Sequence, residues 1–157
     1  MASVALICTA NRCRSVMAHA IFLAEAQNRS LAVDVYSAGT LDFSNEPPLQ
    51  ETATTCLLYN TPPPKESPTW VRQLPLKSID RFLVMEQDHA NMLMSRYGIS
   101  RDRISLLGEF DPQRRGVEIA DPFSRGSLAY QHSYELIRDC IVNYLDTTDE
   151  LNLNRSV

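Results

Sequence analysis

The sequence predicts an α/β protein: a single-domain three-layer α/β/α sandwich around a four-stranded parallel sheet, spanning residues 1–157. Three observations predict it. Short apolar runs of strand character alternate with longer segments of helical composition. The first run, Val4-Ala5-Leu6-Ile7, is continuously apolar, as a strand buried on both faces must be. And 157 residues, 44% of them hydrophobic and 22% charged, can bury one full core without disulfide or metal staples.

The elements follow in order. After the first strand, the segment from Ser15 to about Gln27 is helical in composition, so Cys8 to Arg14 is a turn between strand and helix. Leu31, Val33 and Val35 alternate with polar residues in a second strand ending at Tyr36, and Ser37-Ala38-Gly39-Thr40 then opens a loop. Pro47-Pro48 starts a helix running to about Tyr59, which Pro62-Pro63-Pro64 ends. Arg81 to Met85 is a third strand, followed by a helix from about Asp88 to Tyr97 that stops at Gly98. Arg103 to Leu107 is a fourth strand and Gly108 to Ser127 a long loop. The last helix, about Leu128 to Leu145, carries Tyr130, Tyr134, Ile137, Ile141 and Tyr144 as a core stripe, and the polar residues 147–157 form a frayed tail. In such a sheet ligands bind at the carboxyl ends of the strands, where the loops at Cys8, Ser37, Glu86 and Gly108 gather.

Composition excludes several classes of function. The net charge of −4 argues against nucleic acid as a partner, so an anionic ligand must be drawn by a local site. No apolar run is long enough to span a bilayer, and Met1 to Ile7 lacks the basic start and length of a signal peptide; the expectation is a cytoplasmic protein with no membrane partner. In that compartment Cys8, Cys13, Cys56 and Cys140 are thiols. No CxxC pair occurs and His19, His89 and His132 are scattered, so neither a metal nor another cofactor is expected.

The chemistry concentrates in Cys8-Thr9-Ala10-Asn11-Arg12-Cys13-Arg14-Ser15. A nucleophile ends a strand, and six residues later a guanidinium stands at a helix start. Backbone N–H groups of such a turn can point inward as an anion nest, and a helix N-terminus adds unpaired donors. Arg14 adds a planar fork that matches two phosphate oxygens. The same field favours a thiolate, the form of cysteine that attacks phosphorus, and Ser15 can donate a hydrogen bond to it. C-x5-R by itself also fits a buried cysteine with no role.

This segment resembles the signature loop of the low-molecular-weight protein tyrosine phosphatases, C-x-G-N-x-C-R-S-P near the N-terminus. Cys8, Asn11, Cys13, Arg14 and Ser15 match it; Ala10 stands in place of Gly and Val16 in place of Pro. Ala at position 10 matters if the loop needs a positive φ there. The resemblance implies the phosphotyrosine phosphatase I-like fold, phosphate binding by residues Thr9, Ala10, Asn11, Arg12, Cys13 and Ser15, and a bracing role for Asn11. It extends to Ser37-Ala38-Gly39-Thr40, Pro47-Pro48, Arg72-Gln73-Leu74 and Met85-Glu86, whose acidic residue supports the loop, while Thr69 replaces a family histidine.

A leaving phenolate needs a proton donor. Asp111-Pro112 and Asp121-Pro122 both read as turns, but Asp121-Pro122-Phe123 resembles the family's acid motif ahead of the final helix. Asp121 is therefore expected as general acid and then base, and Asp111 as a turn residue. Phe123 is expected to wall the pocket, with Leu41 or Phe43 opposite. Arg12 occupies the variable position of the signature and would favour acidic sequences around the phosphotyrosine. Cys13 is a redox candidate, able to pair with Cys8 on oxidation; Cys56 and Cys140 are core, and Trp70 is exposed without a role.

The expectation is thus a protein tyrosine phosphatase without a metal, working through a phosphocysteine on Cys8. Its partners would be a phosphotyrosine protein and the opposing tyrosine kinase, with phosphate or vanadate as inhibitors. A thiol-dependent arsenate reductase shares the fold and loop but needs two further relay cysteines near the third strand, and residues 80–100 have none. A phosphotyrosine-binding module would not need Cys8, Arg14 and Asp121 together.

Overall fold

The computed structural model describes residues 1–64 and 68–151. Four parallel strands, β1 (Ala2–Cys8), β2 (Val33–Gly39), β3 (Arg81–Val84) and β4 (Ile104–Leu106), form one sheet in the order β2-β1-β3-β4. Four helices connect or follow them: α1 (Arg14–Asn28), α2 (Gln50–Leu58), α3 (Gln87–Tyr97) and α4 (Ser127–Thr147). Alternation along β1 explains the layers. Val4, Leu6 and Cys8 join Met17, Phe22, Tyr130 and Ile141 in a core on the side of α1, α2 and α4. Ala5 and Ile7 join Phe82, Val84 and Leu93 on the side of α3. A strand clothed on both faces has no polar side, which is why β1 reads as an unbroken apolar run. Glycine 98 closes α3 in the left-handed region, as a C-terminal stop does.

The structure differs from the expectation in several places. Ser37-Ala38-Gly39 belong to β2 rather than to a loop, because each pairs with β1 in the register Leu6 with Ser37, Ile7 with Ala38 and Cys8 with Gly39. Helix α2 starts at Gln50 and not at Pro47: Pro48 drives the residue before it out of the helical region, and Leu49 is still extended. The stretch after Asp146 is not frayed throughout. Helix α4 reaches Thr147, Glu150 pairs with Arg81 at 2.9 Å and accepts from the Tyr144 hydroxyl, and Leu151 is buried; residues 152–157 lie outside the described residues. Trp70 is half-buried, its indole N–H donating to the Tyr97 hydroxyl at 3.1 Å.

The chain leaves β1 toward β2 on one side and later returns to β3 on the other. The reversal opens a crevice at the carboxyl ends of β1 and β3, between Cys8 and Met85-Glu86. No helix among the described residues is long and apolar enough to cross a membrane.

Candidate active site

Cys8 is the last residue of β1, and its sulfur is met by two donors. The Asn11 N–H reaches it at 3.3 Å and the Ser15 hydroxyl at 3.0 Å. The direction of the second bond follows from its neighbour: Asn11 Nδ2 donates to Ser15 Oγ at 2.6 Å, which leaves the Ser15 proton for the sulfur. Asn11 also accepts the Thr69 N–H on Oδ1 at 2.8 Å, tying the turn to the segment before β3. Asn11 and Ser15 are wholly buried and brace the turn from behind.

The turn's one left-handed residue is Asn11 (φ 57°), a type that tolerates this region; Ala10 is not left-handed, so alanine in place of glycine costs the turn nothing there. The glycine that matters is Gly39. A Cβ on it would lie 2.5 Å from Thr9 O and 2.8 Å from the Ala10 carbonyl carbon. Helix α1 begins at Arg14 without proline and without a side-chain cap, so its first N–H groups keep unfilled bonding capacity.

Arg14 is 2% exposed. A buried guanidinium must be paired. One terminal nitrogen contacts Glu86 Oε2 and donates to the Ile119 carbonyl at 2.8 Å. The other lies 4.0 Å from Asp121 Oδ2. Glu86 thus supports the arginine from the far side of the crevice.

These groups enclose a pocket of about 210 Å³. Cys8, Thr9, Ala10, Cys13 and Arg14 form its base, and Arg12, Phe43, Leu49, Asp121 and Phe123 its walls. Arg12 is fixed by its Nε donating to the Pro47 carbonyl at 3.0 Å. Phe123 is half exposed at the rim, and Asp121 accepts the Phe123 N–H at 3.0 Å, a turn that holds its carboxylate toward Arg14. A larger groove of about 750 Å³, lined in part by Arg101, Glu109, Asp111 and Asn143, contains neither cysteine nor Arg14. Asp111 serves a turn there, accepting the Gln113 N–H at 3.0 Å.

A family model described as low molecular weight phosphotyrosine protein phosphatase matches residues 3–156. The chain belongs to that family. Similar proteins include a protein-arginine-phosphatase of Bacillus subtilis, 27% identical over 86% of this chain and 89% of its own. A low molecular weight protein-tyrosine phosphatase A of Mycobacterium tuberculosis is 27% identical over 94% of this chain and 91% of its own. The crystal structure of a low molecular weight phosphotyrosine phosphatase from Vibrio cholerae superposes with a TM-score of 0.84 at 25% identity, covering 96% of this chain and 98% of that one.

Against the low molecular weight phosphatase signature, the structure gathers Cys8, Thr9, Ala10, Arg12, Cys13, Arg14, Asp121, Phe43 and Phe123 around one pocket. Leu41 is not in its lining. The site uses only its backbone, whose N–H donates to Thr9 O at 3.0 Å, while the side chain is 37% exposed. Leu49 takes the wall position instead, at the entry to α2, and nothing in the local pattern singled it out. Cys13 is buried with its sulfur 3.4 Å from the Tyr130 hydroxyl, and burial pushes its thiol up to about 11. The reading also missed His89. Its imidazole contacts the Thr9 hydroxyl at 2.9 Å, and burial, with Arg14 nearby, pulls its pKa down to about 4. Its place three residues after Glu86, at the helix entry beside the crevice, was the available signal.

Proposed function

We propose that the chain hydrolyses phosphotyrosine in proteins, and small aryl phosphates, through a phosphocysteine on Cys8. The observation that carries this reading is a sulfur receiving two hydrogen bonds at the base of a pocket that also holds Arg14 and Asp121. A sulfur so placed is set up as an acceptor and nucleophile. The substrate's phosphoryl oxygens lie against the turn's N–H groups and the Arg14 fork, which offset the charge of the transition state. Cys8 attacks in line while Asp121, 4.0 Å from Arg14, gives its proton to the leaving phenolate. Asp121 then takes a proton from water, which releases phosphate and restores the sulfur. Phosphate and vanadate compete for the same turn, and a tyrosine kinase supplies the substrate.

The relatives' names span two substrate classes, phosphotyrosine and phosphoarginine. Phe43, Leu49 and Phe123 favour an aromatic ring, and Arg12, held to Pro47, sets a guanidinium in the wall that phosphoarginine would have to pass. Like charges across a narrow pocket oppose each other. Arsenate reduction would need relay thiols. Cys56 and Cys140 are fully buried, and burial pushes their thiols up to about 11 and 12, which suits core packing. Cys13 lines the pocket and is the thiol placed to trap an oxidised Cys8.

The test is a turnover panel of phosphotyrosine peptide, phosphoarginine peptide and arsenate with thioredoxin, each with wild-type protein and Cys8→Ser. The expected result is wild-type turnover of phosphotyrosine at least ~100-fold above phosphoarginine. Faster phosphoarginine hydrolysis would reassign the substrate, and no hydrolysis of any phosphomonoester would end the enzymatic reading.

A further inference from the structure

His89 lies outside the sequence signature, yet its side chain joins the phosphate turn to helix α3. It stands at the third position of α3 and is 4% exposed. A buried histidine with both nitrogens satisfied is ordinarily a packing residue. Here the partners fix its chemistry. The Glu86 N–H points at Nδ1 from 3.1 Å, and an N–H can only donate. Nδ1 is therefore bare and, in the neutral ring, Nε2 carries the proton. That proton goes to Thr9 Oγ1 at 2.9 Å. Thr9 Oγ1 is then an acceptor toward His89, and its own hydroxyl proton has no acceptor among the described residues. Thr9 lines the pocket next to Cys8.

We propose that the Glu86 N–H, His89 and Thr9 form a directed chain of hydrogen bonds that presents the Thr9 hydroxyl proton to the bound phosphoryl group, with His89 as the positioning residue. The proposal rests on the reading that this turn binds a phosphoryl group. Directionality is what the chain adds: a free hydroxyl rotates, whereas one held as an acceptor on one side has its donor turned to the other.

The surroundings keep the relay in its working state. Burial disfavours the imidazolium most, and Arg14 from α1 adds to it; Asp88 in α3 and Glu118 and Asp121 before α4 oppose it. Glu86 Oε2 lies 3.9 Å from Nε2. A protonated ring would have no acceptor for the Glu86 N–H, so the chain exists only with His89 neutral.

The experiment is a double-mutant cycle read by kcat/KM for p-nitrophenyl phosphate and by the inhibition constant of inorganic phosphate. Thr9→Val removes the donor. His89→Asn keeps an acceptor for the Glu86 N–H, so the start of α3 stays capped, but is too short to reach Thr9. Each change is expected to weaken phosphate binding about tenfold, and the double variant also about tenfold rather than ~100-fold, because both remove one chain. Thr9→Ser and His89→Gln, which restore a hydroxyl and a reaching N–H, are expected within ~3-fold of wild type. Nitrogen NMR of His89 at neutral pH is expected to show the proton on Nε2. Multiplying effects, a proton on Nδ1, or loss of thermal stability with kinetics unchanged would overturn the relay and leave the phosphatase reading standing. A wild-type protein that neither turns over a phosphomonoester nor binds phosphate would remove both.

Discussion

Gly39→Ala is a severe test of how this site is built, because Gly39 does not itself line the pocket. The added Cβ would lie 2.5 Å from Thr9 O, nearly 1 Å inside the 3.4 Å edge of ordinary contact, and 2.8 Å and 3.0 Å from Ala10 C and Cα. All three atoms are backbone, so no side chain can swing aside. Neither partner is free to retreat. Gly39 is paired with Cys8 in the sheet and its N–H donates to the Thr69 carbonyl at 2.8 Å. The Thr9 and Cys8 carbonyls accept from Leu41 and Thr40 at 3.0 and 2.9 Å. The phosphate turn must shift by most of the deficit. Forced overpacking of this kind costs about 1–3 kcal/mol of stability. A displacement of about 1 Å at catalytic groups can cost ~100-fold in rate. The assay is urea denaturation beside kcat/KM for p-nitrophenyl phosphate. Gly98→Ala is the control: its φ of 65° strains an alanine but nothing lies within 4 Å, so it should lose about 1 kcal/mol with kcat/KM unchanged. A Gly39→Ala protein with wild-type kcat/KM would refute the claim that this backbone contact sets the turn.

Three further outcomes are expected. Cys8→Ser should lose all measurable turnover yet still bind phosphate in calorimetry, since the hydrogen-bond donors and Arg14 remain; loss of phosphate binding as well would place the sulfur in a structural role. Asp121→Asn should lower kcat by about 10²–10⁴ for phenyl phosphate and much less for p-nitrophenyl phosphate, whose leaving group needs no proton; equal losses on both would count against a general acid. For stability against pH, His89 is held below its ordinary value, so the unfolded chain binds its proton first on acidification. Stability from this group is complete above about 6.5 and drains away as pH falls toward about 4, amounting to about 3 kcal/mol over that window. Across this window wild type should lose about 3 kcal/mol more stability than His89→Gln, and parallel losses would show that His89 does not titrate with folding.

The elements were legible where the sequence carries period and punctuation. The apolar run before Cys8, the stripe of Tyr130, Tyr134, Ile137 and Ile141, and Gly98 each state a local physical requirement. So does the spacing from Cys8 to Arg14, because a turn of that length between strand and helix brings both to one pocket. What escaped depends on tertiary register. Ser37 to Gly39 read as loop because their composition is small and polar, and only pairing with β1 makes them strand. Leu41 and Leu49 are equally plausible walls in one dimension, and the approach of α2 selects Leu49. Ala10 looked costly because substitution for glycine suggests lost backbone freedom, whereas the left-handed residue is its neighbour Asn11. His89 could be discounted as scattered because its partners, Thr9 and Arg14, are some eighty residues away.

The same geography explains why the site needs so few charged residues. In a chain of net charge −4, the anion site cannot draw on the global field. Its donors are instead placed where the sheet order reverses, so that one turn is gripped from three sides. The Thr69 N–H holds it on the β2 side, Glu86 and His89 reach it from the β3 side, and the Ile119 carbonyl takes Arg14 from the segment before α4. The ties end on three members of the turn: Thr69 on Asn11, His89 on Thr9, and both Glu86 and the Ile119 carbonyl on Arg14. Among the described residues, the Cys8 sulfur receives hydrogen bonds only from Asn11 and Ser15, within the turn and the helix start it leads into. The nucleophile is therefore left facing the pocket while its supports carry the tertiary ties, and a change at any tie should reach the chemistry by moving the turn rather than by touching the sulfur.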